Sequence, residues 1–71
     1  MRQQFDFKKL KSERLRYGMT FYSLAQALQK FELKASPQLT WQWEKKKKVP
    51  TTKYITALCE IFDQNPDFFF S

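Results

Sequence analysis

The sequence contains no histidine, a single cysteine and a single glycine in 71 residues. Without histidine, the usual zinc-binding sets and the commonest general base are unavailable, and a lone thiol, Cys59, cannot close an internal disulfide. A glycine-rich phosphate loop is missing too. No enzyme is expected: no catalytic residues, no cofactor, no metal and no small-molecule substrate. No apolar run approaches the roughly 18 residues of a membrane span, and MRQQFDFKK at the start lacks the apolar middle of a signal peptide. The expectation is a cytoplasmic protein in a reducing compartment, with no membrane partner.

Acidic residues are scarce as well. Thirteen Lys and Arg stand against seven Asp and Glu, for a net charge of +6. That balance attracts polyanions at long range and makes nucleic acid the first partner to consider, the plainer alternative being a basic surface that only keeps an aromatic-rich domain in solution. A chain this short buries only about 60% of its unfolded surface. Eight Phe, three Tyr and two Trp compensate, since each aromatic ring buries on the order of 150–250 Å². One domain over residues 1–71 is expected.

Apolar residues recur at three- and four-residue steps, which predicts an all-α fold. A first helix runs from the cap Asp6 to Tyr17, with Phe7, Leu10, Arg14 and Tyr17 on one face and Gly18 as a left-handed stop. Thr20 caps a second helix from Phe21 to about Lys30, whose inward stripe is Leu24, Ala25 and Leu28. Residues 29–35 contain neither Gly nor Pro, so an extended second helix and a short loop are expected there. A fourth helix begins at Thr51 or Thr52 and ends at Phe62. Asn65, Pro66 and Asp67 offer a cap, a pre-set first residue and a favourable charge for a last turn bearing Phe68, Phe69 and Phe70. About five short helices fill the chain.

The third helix carries the most information. SPQLTWQWEKKKKVP, from Ser36 to Pro50, reads as a cap, a proline suited to the first helical position, two glutamines, two tryptophans, four lysines and a proline stop. Held on a small helical scaffold, such a helix suits either a DNA groove or a protein partner.

The order of these features, from Leu10 to Phe69, resembles the Cro/repressor-type (XRE-like) helix-turn-helix family. Arg14-Leu15-Arg16-Tyr17-Gly18-Met19-Thr20 looks like the family's end of helix one and cap of helix two. Leu24-Ala25 falls on its Leu-Ala pair, Trp43-Glu44 on the end of the recognition helix, and Lys45 to Pro50 on the following loop. Leu58-Cys59 and Ile61-Phe62 match the apolar pairs of helix four. The resemblance implies a lambda-repressor-like fold and a structural ion pair between Arg14 and Glu44, the alternative being two solvated charges. It also implies a recognition helix that enters the major groove with its early residues at base edges.

By that register the DNA-binding candidates are Ser36, Pro37, Gln38, Leu39, Trp41 and Gln42, with Lys45, Lys46, Lys47 and Lys48 on phosphates. Gln38 and Gln42 lie one turn apart, and a Gln amide can both donate to and accept from an adenine edge. Leu39 can touch a thymine methyl. Ser36 and the N–H groups of the helix start can hold a phosphate. For each, the plainer reading is a solvated side chain.

Departures from the family pattern point elsewhere. The segment between Leu28 and Ala35 is about five residues longer than the common length, so the connection from helix two to helix three is extended. Phe21 stands where a phosphate-touching Gln is usual, and Thr40 replaces a core Ile or Val. Lys46 takes a loop position usually held by Gly, which predicts a positive φ there. If Trp43 faces inward, Trp41 lies about 200° away around the helix and must be exposed or packed elsewhere. Phe21, Phe31, Leu33, Leu39, Trp41, Phe69 and Phe70 therefore form the candidate protein interface, with core closure as the simpler role for the C-terminal phenylalanines.

Two functions follow from the resemblance. One is a regulator of a phage-type genetic switch that binds double-stranded operator DNA as a homodimer. The other is an antirepressor that binds the DNA-binding domain of a partner repressor, with or without DNA. Exposed aromatic stacking also leaves RNA open.

Overall fold

Four α-helices and one 3-10 turn make up the fold, and no strand occurs among the described residues. The computed structural model describes residues 4–70, so the ends of the expected domain, residues 1–3 and 71, lie outside it. The helices are α1 (Phe7–Arg16), α2 (Phe21–Gln29), α3 (Pro37–Lys45) and α4 (Thr52–Phe62), followed by the 3-10 turn Pro66–Phe69. The expected fifth helix is thus only this turn. Asn65 does not cap it through its side chain; instead the backbone N–H of Phe68 reaches the Asn65 carbonyl at 2.9 Å.

Local chemistry accounts for most helix ends. The Asp6 carboxylate accepts from the N–H groups of Lys8 and Lys9, the Thr20 hydroxyl from that of Ser23, and the Ser36 hydroxyl from that of Leu39. Each satisfies a donor that the first helical turn leaves unbonded. Gly18, at φ 67°, closes α1: its N–H bonds the Leu15 carbonyl at 3.0 Å and the Met19 N–H bonds the Arg14 carbonyl at 2.8 Å. This paired closure needs a left-handed residue, which glycine adopts without steric cost. Asp63 plays the same part at the end of α4, at φ 53°.

The core is built from Leu10 of α1, Leu24 and Leu28 of α2, Trp43 of α3 and Ala57, Leu58, Cys59 and Phe62 of α4, with Phe5 and Phe69 closing it from the two ends. Phe69 has no exposed surface, so it cannot offer itself to a partner as the candidate interface required. It stacks on Phe5 at 5.9 Å between ring centroids, while Phe70 meets Phe5 edge-on at 5.7 Å. The Asp6 N–H donates to the Phe69 carbonyl at 2.6 Å, and Phe5 and Phe70 form an isolated antiparallel bridge. The two ends of the described chain are therefore held together under the bundle.

The inward face of α1 is Leu10, Glu13 and Arg14, whereas Tyr17 is exposed and caps the helix. Glu13 is buried because its carboxylate accepts from Arg16 at 3.3 Å and from the Gln64 amide at 3.2 Å. Burying a carboxylate is costly unless its oxygens are bonded, and these two donors meet that need.

The segment between α2 and α3 departs from expectation. Instead of lengthening, α2 stops at Gln29, and a tight turn follows in which the N–H groups of Lys30, Phe31 and Glu32 bond carbonyls three residues back. Glu32 adopts φ 60°, which ends that turn and sends the chain towards α3. The path is then pinned twice, by the Gln29 amide on the Ala35 carbonyl at 2.8 Å and by the Tyr54 hydroxyl on the Lys34 carbonyl.

Candidate nucleic-acid interface

α3 owes its position to three contacts on its inner side. Trp43 is 2% exposed and packs edge-on against Tyr54 of α4 at 5.5 Å. Thr40, fully buried, places its hydroxyl 2.9 Å from the carbonyls of both Phe21 and Pro37. Its one hydroxyl hydrogen is shared between an acceptor at the start of α2 and one in the first turn of α3, so a polar atom sits inside the core without an unmet bond.

The third contact is the ion pair. Arg14 Nε donates to Glu44 Oε2 at 2.7 Å and Nη2 to Oε1 at 3.3 Å, with the two side chains 9% and 4% exposed. Nη1 donates to the Met19 carbonyl at 2.8 Å. The guanidinium also lies over the Phe21 ring, 4.3 Å from its centroid. One side chain thus links α1, the turn after it, the start of α2 and the end of α3. A planar fork does this where an ammonium cannot, because its donors are fixed in one plane and its face stacks on a ring. Phe21, half-buried beneath this guanidinium, is chiefly a platform for Arg14 and not an open partner surface.

With those residues turned inward, α3 presents Pro37, Gln38, Trp41 and Lys45 to solvent, with Gln42 half-buried beside them. Leu39 lies partly buried against the core, so it is withdrawn from the position of a thymine-reading or interface residue. The Ser36 hydroxyl is already engaged by the Leu39 N–H at 3.2 Å, which occupies one of the donors a phosphate would use. Trp41 is 37% exposed, and Lys46 Nζ sits 5.9 Å from the centroid of its ring. This cation–π contact joins the lysine loop to the outer face of α3, so the four lysines and the helix form one continuous surface.

The loop is shaped by Lys47, not Lys46. Lys46 keeps an ordinary helical φ of −95°, whereas Lys47 adopts φ 56°. That left-handed step lets the N–H groups of Lys46 and Lys48 both reach the Gln42 carbonyl, at 2.9 and 3.4 Å. The positive φ expected at Lys46 therefore falls one residue later, on Lys47. All four lysines are exposed, and among the described residues none is paired with a carboxylate; the neighbouring Glu44 is held by Arg14. Their charge is therefore undiluted.

Of the remaining interface candidates, Phe31 is 39% exposed, Leu33 lies half-buried against the core, and Phe70 is half-buried beside Phe5. Among the described residues no cluster of three or more His, Cys, Asp or Glu is placed to hold a metal. Among the same residues no helix is long and apolar enough to cross a membrane.

No family model, curated protein or solved structure matches this chain.

Two features of the site were not legible from residue types. Tyr54 both braces Trp43 and fixes the Lys34 carbonyl, and Phe21 carries the Arg14 guanidinium. The signal for Tyr54 was its position on the inward stripe of α4. Nothing local to Phe21 announces a stacked guanidinium seven residues away.

Proposed function

We propose that the protein is a small helix-turn-helix regulator that binds double-stranded DNA, with α3 in the major groove and Lys45 to Lys48 on the flanking phosphates. It acts by binding and not by catalysis. The observation that carries this reading is the continuity of one surface: Gln38, Trp41 and Gln42 on α3 run into four exposed lysines through the contact of Lys46 with Trp41. A recognition helix needs such an arrangement, because phosphate contacts set its register while its side chains meet base edges. The buried fork of Arg14 on Glu44 supports the same reading, since it holds the helix at a fixed angle. Control of a phage-type genetic switch is the role the family resemblance suggests.

Trp41 favours a second reading. A ring 37% exposed in the middle of that face is more apolar than base readout requires, and Trp is over-represented among residues that dominate protein interfaces. In this reading the same face of α3 covers the DNA-binding domain of a partner repressor, and the protein is an antirepressor. Binding to DNA from the protein's own regulatory region, measured with and without the neighbouring repressor over a salt series, separates the two. Specific binding by the protein alone, weakening steeply with salt, supports the first. Binding that appears only with the repressor supports the second.

A further inference from the structure

A groove of about 320 Å³ lies on another part of the molecule, between the turn that follows α2 and the outer side of α4. Phe31, Leu33 and Ala57 give it apolar walls, and Lys53, Thr56 and Glu60 line it from α4. Phe31 remains 39% exposed at this groove. Lys53 and Glu60 are both exposed, and among the described residues neither belongs to an ion pair.

The order of these charges is what matters. Lys53 and Glu60 stand two turns apart on one stripe of α4, about 10 Å along its axis, with Thr56 and Ala57 midway between them. A two-fold axis crossing α4 between Thr56 and Ala57 is equally distant from both charges. It would lay a second α4 antiparallel on the first, with Lys53 of each copy opposite Glu60 of the other and the small residues at the crossing. Such an interface is self-complementary by construction, each contact occurring twice. An acidic peptide would meet Lys53 but be repelled by Glu60, and a basic one the reverse. A second copy offers the same charges in reversed order and satisfies both.

We infer that this groove is the self-association surface of the protein, its occupant a second copy related by that two-fold axis. The two Phe31 rings flank the α4 pair and lose their exposed surface. The patch is small against the roughly 800 Å² per partner of a standard interface, so the dimer is weak. Net repulsion between two copies at +6 is screened beyond about 8 Å at physiological ionic strength. The inference concerns the protein without DNA and stands apart from the reading of α3.

Sedimentation equilibrium from about 10 μM to 1 mM, in physiological salt and without DNA, tests it. The wild type should pass from monomer to dimer across that range. Lys53→Glu and Glu60→Lys should each raise the dimer dissociation constant about tenfold, because each places like charges together at two symmetry-related points. Mixing the two single variants, or combining both changes in one chain, should restore association to within about threefold of wild type, because opposite charges then face again. Phe31→Ser should weaken the dimer without changing the helical circular dichroism. A wild type that stays monomeric at 1 mM, or single variants whose mixture associates no better than either alone, would overturn the inference.

Discussion

Arg14 and Glu44, thirty residues apart in sequence, form a two-pronged ion pair of 2.7 and 3.3 Å in a nearly dry pocket. The pair fixes the end of α3 to the last turn of α1, and the remaining Arg14 donor secures the turn into α2. Removing one member leaves the other charge buried without its partner, which costs about 3–5 kcal/mol. Arg14→Ala and Glu44→Ala should each destabilise by that order in urea unfolding, and Arg14→Met with Glu44→Leu should cost clearly less than the sum. Arg14→Lys should not rescue, because an ammonium offers neither the fork nor the planar face over Phe21.

Thr40 is the polar counterpart of that pair. Its hydroxyl lies 2.9 Å from the Phe21 carbonyl of α2. Thr40→Val keeps the shape and deletes this bond, so a loss of about 1 kcal/mol is expected. A neutral result in the same unfolding assay would show that the hydroxyl contributes no net stability to the α2–α3 contact.

The left-handed backbone of Lys47 carries a steric cost of about 1–2 kcal/mol, partly offset in a glycine variant by the larger entropy of its unfolded chain. Lys47→Gly should therefore stabilise by about 0.5–1 kcal/mol, while Lys46→Gly, at φ −95°, should destabilise. Thermal unfolding of the two variants side by side distinguishes the positions.

Burial pushes the Cys59 thiol above its ordinary value of 9.0. The folded domain thus holds that proton more tightly than the unfolded chain does. The contribution to stability is intact below pH 9 and falls as pH rises beyond it, since the unfolded thiol ionises first. Cys59→Ala should lessen the alkaline decline in stability relative to wild type. At pH 7, alkylation of the native thiol should be slow and should follow unfolding.

The helices and most of their ends were legible because they depend on neighbours in sequence. Asp6, Thr20 and Ser36 are caps by residue type, Gly18 is a stop, and α3 is bounded by its own proline and lysines. The family resemblance put Trp43 inward, and helical spacing then put Trp41 on the opposite side, as the 2% and 37% exposures show. What escaped depends on the fold as a whole. The path of residues 29–35 is pinned by Gln29 and Tyr54 reaching carbonyls across space, and one of the two donors that bond the buried Glu13 carboxylate, Gln64, arrives from the far end of the chain. At the candidate site, Leu39 and Ser36 have local roles in packing and capping that compete with DNA contact, and periodicity does not reveal such competition.

The central claim is that the outer face of α3 reads DNA while the lysine loop holds phosphates. It is tested most directly by measuring affinity for the protein's preferred duplex and for a scrambled duplex across a salt series, in wild type, Gln38→Ala with Gln42→Ala, and single lysine variants. The wild type should prefer the specific duplex, and the double glutamine variant should lose that preference. The slope of log affinity against log salt should shrink by about 0.9 for each phosphate-bound lysine removed. Equal affinity for both duplexes in wild type, or a slope indifferent to every lysine from Lys45 to Lys48, would contradict it.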